Sequence, residues 1–330
     1  MRNGFLPAIA LILPLFAAGI GRADVAEVVQ DHARPGYSAF SAATERLDQA
    51  AQKDCAPAGL REAFHAAQDA WMGVAHLHLG PAEEGGLSLA ILFWPDPKGS
   101  GARTLAGLIR EQNPVVTDPA AFSQISVAAR GFTGLEPLLF DPAFRADDYS
   151  CALTKALTAD LSASARALEA GWNGGIDQLL LEPGAPGNTQ FLSLSESRRA
   201  LFTQLISGLE FNAGQRLGRP LGTAEKPRPE RAEARLSGRS LRNITLSLEG
   251  LRGFALAMNP SLPRSRKAFD AVLASARALP ESTLADFGTP GPWQQGEALR
   301  QEILALRDTL RSELGPSLAV DTGFNSQDRD

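Results

Sequence analysis

At 330 residues, 44% hydrophobic and 21% charged, the chain is long enough to bury a sizeable core and too apolar to be a disordered segment. The net charge of −5 leaves no basic face and argues against nucleic acid as a partner. Two Tyr and three Met beside abundant Ala and Leu favour helices over sheets.

Residues 1–23 read as a cleavable signal peptide. Arg2 supplies the positive start, Phe5 to Ile20 the apolar stretch, and Gly21-Arg22-Ala23 the small residues at the cleavage site. Pro7, Pro14 and Gly19 interrupt the stretch, which falls short of the roughly 20 apolar residues of a membrane span; the alternative is an uncleaved anchor. No Cys follows it for lipid attachment, and no later segment is apolar enough to cross a bilayer. In a Gram-negative bacterium the destination is the periplasm. There Cys55 and Cys151, each at the start of a predicted helix, are expected to form a disulfide, with a two-Cys metal site as the weaker reading. Such a bridge contributes on the order of 4–5 kcal/mol in the chain-entropy picture.

Apolar residues recur at helical spacing almost throughout. A first helix is interrupted by Pro35-Gly36, which should kink or restart it. Leu60, Phe64, Ala67, Trp71, Val74 and His78 form one stripe. Residues 80–101 are irregular around an apolar knot, Leu87 to Trp94. Leu153, Leu157, Leu161, Leu168 and Trp172 mark the next long helix. Residues 173–190 have the composition of a connector and carry the expected domain boundary, giving bundles at 24–180 and 181–330. Phe202, Ile206, Leu209, Ala213 and Leu217 follow, then a polar stretch with three prolines at 219–235. Leu241, Ile244, Leu248, Leu251 and Ala255 form a further helix. The last runs from near Pro292 through Leu299, Ile303, Leu306, Leu310 and Leu314 to Gly315-Pro316. No segment alternates with period two, so the expected fold class is all-α with two helical-bundle domains. Gly-Leu-Glu at 134–136 and 208–210 is compatible with two related bundles.

Catalytic signatures are missing. There is no His-Glu-x-x-His, no Gly-x-Ser-x-Gly and no phosphate or dinucleotide loop. His65 and His76 lie about 16 Å apart on a helix and cannot share a metal. His65 and Asp69, four apart, are expected to form an exposed polar pair, and His78 to pack on the Trp71 stripe. The most unusual segment is Arg130 to Phe140. Pro137 should push Glu136 out of helical geometry, leaving a partly desolvated carboxylate at a helix break. That setting suits contact with a ligand or metal. It equally suits acceptance of hydrogen bonds from N–H groups at a helix start.

The chain resembles the imelysin family of exported bacterial proteins. The likeness runs through Pro35-Gly36-Tyr37-Ser38-Ala39-Phe40, Gln68-Asp69-Ala70-Trp71 and Gly131 to Phe140. It continues in Leu201 to Leu221, Glu233 to Leu241 and Leu248-Glu249-Gly250-Leu251. It implies two helical domains with a ligand site where they meet. The family hallmark is Gly-x-His-x-x-Glu; Gly131 and Glu136 match it, while Thr133 stands at the histidine position. A Thr hydroxyl is a poor transition-metal ligand, which weakens any metal role for Glu136. On this resemblance Gly131, Thr133, Glu136, Arg239, Trp71 and Glu83 are the candidate ligand-binding residues, with Arg239 as counter-charge from the second half. No catalytic residue is assigned. The expected function is an exported binding or accessory protein in iron or another divalent-metal uptake, with a metal-dependent peptidase as alternative. A third reading is a docking partner of a periplasmic redox or transport component, using the Leu87–Trp94 knot as contact surface.

Overall fold

The computed structural model describes residues 24–144 and 147–318; the expected signal peptide lies outside them. Among the described residues every regular element is helical, apart from one isolated bridge between Thr223 and Lys226. Nine of these helices have ten or more residues: α1 Arg34–Lys53, α2 Pro57–Val74, α3 Ser100–Glu111, α4 Gly131–Phe140, α5 Asp148–Gly171, α6 Leu194–Phe211, α7 Ser240–Met258, α8 Pro263–Ala278 and α9 Pro290–Leu314. Local chemistry marks their starts. Prolines open α2, α8 and α9 where a missing N–H costs nothing, and the carboxylate of Asp147 caps α5 through the Ser150 N–H at 2.8 Å.

Two π-helical turns interrupt this pattern. Val28–Ala33 (π1) runs directly into α1, whose second residue is Pro35; Asn212–Leu217 (π2) continues α6. The expected restart at Pro35-Gly36 is thus a widened turn rather than a gap, as a proline lacking its N–H favours.

α1 packs against α2 and α5, and α4 against α2 and α5. Beyond the connector, α7 packs on α6 and α8, and α9 on α6 and α8. The buried apolar residues form one continuous cluster from Val25 to Leu318. α2 and α7 carry much of the packing between the earlier and later helices. They run parallel: Arg239, just before α7, meets His65 and Asp69 midway along α2, Gly250 in the middle of α7 crosses Gly73 in the last turn of α2, and Phe254 meets His76 just beyond it. The crossing is close because both contact residues are glycine. A Cβ on Gly250 would lie 2.6 Å from the Gly73 carbonyl oxygen.

Cys55 and Cys151 are bonded, with Cα atoms 5.4 Å apart, stapling the start of α2 to the first turn of α5. No helix among the described residues is long and apolar enough to cross a membrane. Within the Leu87–Trp94 knot, Ile91 is buried and Leu92 packs against the core, whereas Leu89 is exposed. Trp94 meets Phe211 of α6 edge-on at 5.9 Å.

Three local expectations are corrected. The helix does not break at Pro137: α4 continues to Phe140. Phe132, Leu135, Leu138 and Leu139 are buried on both sides of the proline, and that continuous face outweighs one lost hydrogen bond. His78 is not on the Trp71 stripe, because α2 ends at Val74. The following loop is held by Tyr37, whose hydroxyl donates to the Leu77 carbonyl at 3.1 Å, and by the His78 N–H, which donates to Gln204 Oε1 at 2.9 Å. His65 and Asp69 are not a solvated pair, since both meet Arg239.

Candidate functional site at the α2–α7 seam

Glu136 lies on α4, one turn from Thr133, and its side chain reaches the segment that leads into α7. Oε1 accepts from both the Ser237 N–H (2.8 Å) and the Ser237 hydroxyl (2.6 Å). Burial raises its pKa above the usual carboxylate range against the pull of these hydrogen bonds, and Glu233 nearby adds to the rise. Ser237 sits in a tight turn in which Ala234 adopts φ +49°, a conformation side chains rarely take, closed by the Arg239 N–H donating to the Ala234 carbonyl at 3.0 Å.

Beside Glu136 stands a charged cluster. Arg239, 2% exposed, donates to Asp69 and, at 3.1 Å, to His65 Nδ1, which places the His65 proton on Nε2. Arg242 donates to Asp69 as well, through Nε at 2.9 Å. Burial pushes the Asp69 carboxyl upward, but the two guanidinium groups outweigh it and hold its pKa below the ordinary value. Burial and Arg239 lower the pKa of His65.

Deeper in the seam lies a second polar network, absent from the sequence reading. Arg216 of π2 donates to Glu233 Oε2 at 2.9 Å, Asn212 Oδ1 at 3.2 Å, Ser247 Oγ at 3.0 Å and the Met72 thioether at 3.4 Å. The Asn243 amide donates to the same Glu233 oxygen at 3.0 Å. Several buried polar atoms on these elements have no protein partner: Gln68 Oε1 and Trp71 Nε1 on α2, Asn243 Oδ1 on α7, and Glu233 Oε1 and Arg239 Nε just before α7. A concentration of unsatisfied polar atoms is uncommon in a protein interior and marks a place for a polar ligand or water.

The structure thus brings Glu136, Arg239 and their neighbours to one seam. Thr133 adjoins it, with its hydroxyl accepting from the Phe93 N–H at 3.0 Å. Trp71 is a core residue whose ring packs on Phe40 at 5.1 Å, with its indole nitrogen unpartnered. Gly131 serves packing: its φ is +54°, and a Cβ would lie 2.2 Å from the Ile91 carbonyl oxygen. Glu83 stands apart on an exposed turn, where its charge acts on His78. Arg216, Glu233 and Ser237 fall inside the segments that carry the family resemblance, which was the only signal pointing to them.

The residues at Glu136 do not fit a resident metal ion. Thr133 offers a neutral oxygen already engaged by the main chain, and Ser237 engages Oε1 of Glu136 through two hydrogen bonds. Among the described residues no group of three or more His, Cys, Asp or Glu side chains is arranged to hold one.

Comparison with known proteins accords with this architecture. Residues 33–312 match the sequence profile of imelysin. Iron-regulated protein A of Synechococcus elongatus is 25% identical over 311 residues, covering 86% of this chain and 82% of the relative. In fold, the crystal structure of an imelysin-like protein from Psychrobacter arcticum superposes with a TM-score of 0.75 at 21% identity, over 91% of this chain and 96% of the other. A crystal structure described as a putative iron-regulated protein A precursor, from Parabacteroides distasonis, gives 0.71 at 13% identity over 88% and 94%. The chain belongs to the imelysin family.

Proposed function

We propose that this protein is an exported binding or accessory protein in iron-linked uptake, whose ligand docks where the bundles at 24–180 and 181–330 meet. The observation that carries the reading is the Glu136 carboxyl. It is half-buried, raised in pKa, held by Ser237 of the opposite half, and adjacent to buried polar atoms without partners. The link to iron rests on the relative named iron-regulated protein A. The oxidising compartment is supported by the Cys55–Cys151 bridge.

The unpartnered atoms are mostly acceptors: Gln68 Oε1, Glu233 Oε1 and Asn243 Oδ1. They suit a ligand that brings hydrogen-bond donors, such as a metal carried in a complex that retains its own ligands. A bare ion would need donor groups that this seam lacks. Binding therefore accounts for the geometry better than a metal-dependent peptidase.

The test is thermal unfolding of the mature chain against Fe(II), Fe(III), Fe(III) citrate, Cu(II), Zn(II), Mn(II) and haem. A ligand at 100 times its Kd stabilises the fold by about 2.7 kcal/mol, a readable rise in Tm. A selective rise that disappears in Glu136→Ala, with far-UV circular dichroism unchanged, is the expected result. A flat response across the panel, or a rise untouched by Glu136→Ala, would refute the assignment.

A further inference from the structure

Three of the chain's four histidines gather beyond the C-terminal end of α2, away from Glu136. His32 is carried by π1 and His76 by the turn after α2, and their Nε2 atoms are 3.0 Å apart. Both rings stack on Phe254 of α7, with centroids at 5.2 and 5.1 Å, which fixes their planes and keeps the two nitrogens facing each other. Burial lowers the pKa of His32 to about 4 and that of His76 well below its ordinary value. Both imidazoles are therefore neutral near pH 7, the form that binds metals.

Geometry and donor chemistry define what would fit. Two donors on adjacent corners of a tetrahedron, with bonds of about 2.0–2.1 Å, lie roughly 3.3 Å apart. The histidine pair would have to open by only a few tenths of an ångström. Four residues before His76 in the chain, Met72 is buried and its thioether, a soft donor, is touched by Arg216, the same arginine whose charge reaches His76. Among the described residues no carboxylate bonds either ring, and the charge of Arg216 reaches His76, so a singly charged ion is less costly there than a divalent one. Imidazole and thioether together select copper in its reduced state. His32 is partly exposed and gives the ion a way in. π-helical turns are themselves frequent at functional sites.

We propose that His32, His76 and Met72 form a binding site for Cu(I). Each ring coordinates through Nε2, and the proton of the present hydrogen bond moves to Nδ1 of its own ring, so no proton is released overall. Both cysteines are held in the disulfide, so no thiolate competes for the ion.

The experiment is an anaerobic titration of the mature, disulfide-intact chain with Cu(I) in ascorbate, read by competition with the chromophoric chelator bicinchoninate. One equivalent should be withdrawn from the chelator. His32→Gln should weaken binding by more than the roughly 10–100-fold that loss of an outer-shell partner costs. Met72→Leu should weaken it less, and Glu136→Ala should leave it unchanged, which separates this site from the seam ligand. X-ray absorption of the loaded wild-type chain should show two nitrogen donors at about 2.0 Å and one sulfur at about 2.3 Å. It decides the question if His32→Gln fails to fold. No withdrawal from the chelator, wild-type affinity in folded His32→Gln, an absorption spectrum without that donor set, or binding of Zn(II) in place of Cu(I) would each overturn the proposal.

Discussion

Replacing Arg216 by Met tests whether the seam is held by a buried charge network. The side chains of Arg216 and Glu233 are 6% and 2% exposed, so neither charge is screened by water. The substitution strands the Glu233 carboxylate with only the Asn243 amide as donor, and removes the donor to Asn212 Oδ1 and one of two donors to Ser247 Oγ. Breaking one partner of such a pair costs about 3–5 kcal/mol. At roughly 1.6 °C per kcal/mol for a chain of about 300 residues, Tm should fall by about 5 °C or more. Adding Glu233→Gln removes the stranded charge, so the double variant should recover most of the loss, giving a coupling energy of about 2 kcal/mol or more in a urea-unfolding cycle. A loss below about 1 kcal/mol in Arg216→Met, or strictly additive variants, would mean that solvent reaches the network and that the burial argument fails.

Glu136 gives a prediction of opposite sign. Its folded pKa lies above the ordinary 4.5, so the stability it adds when protonated is present below pH 4.5 and is lost as pH rises through the folded value. Glu136→Gln keeps an oxygen for Ser237 without the charge. It should be more stable than wild type at pH 8, by about 1.4 kcal/mol for every tenfold by which folding weakens the acid. The difference should vanish below pH 4.5 in parallel urea titrations. A pH-independent difference would contradict the assignment. Gly131→Ala should destabilise by more than about 2 kcal/mol in the same assay, because a left-handed φ strains alanine and its Cβ would meet the main chain at Ile91 rather than a movable side chain.

What the sequence made legible were the features written locally. The stripes ending at Trp172 and Leu314 fall on α5 and α9 because a helix repeats its buried face every three to four residues. The disulfide followed from two cysteines in a chain that reads as exported. The connector was legible as irregular composition, although it includes a short helix at Ile176–Leu181. What stayed hidden depends on residues far apart in the chain. Arg239 and Asp69 are 170 positions apart, and no periodicity reports which arginine will answer a given aspartate. Pro137 was misread for the converse reason: its local bias is real, but the apolar face of α4 that overrules it is buried against α2 and α5, which lie elsewhere in the chain.

A second carboxylate helps separate the role proposed for Glu136 from that of a structural anchor. Glu313 accepts from the Ser265 N–H at 2.7 Å and the Ser265 hydroxyl at 2.6 Å, nearly the same pair of donors that Ser237 offers Glu136. Ser265 lies in the first turn of α8, so there the arrangement anchors a helix start. Yet the two groups shift in opposite directions. At Glu313 burial pushes the pKa up, but the hydrogen bonds from Ser265 and Arg264 outweigh it. At Glu136 burial dominates the same hydrogen bonds, and Glu233, the larger of its two neighbouring charges, adds to the rise against a smaller pull from Arg235. The serine contact alone therefore does not distinguish a site from a structural anchor. The surroundings do: a carboxyl held by two donors but unfavourably charged gains stability when a ligand brings a proton or a positive charge to it, and Glu313 has no such gain to make.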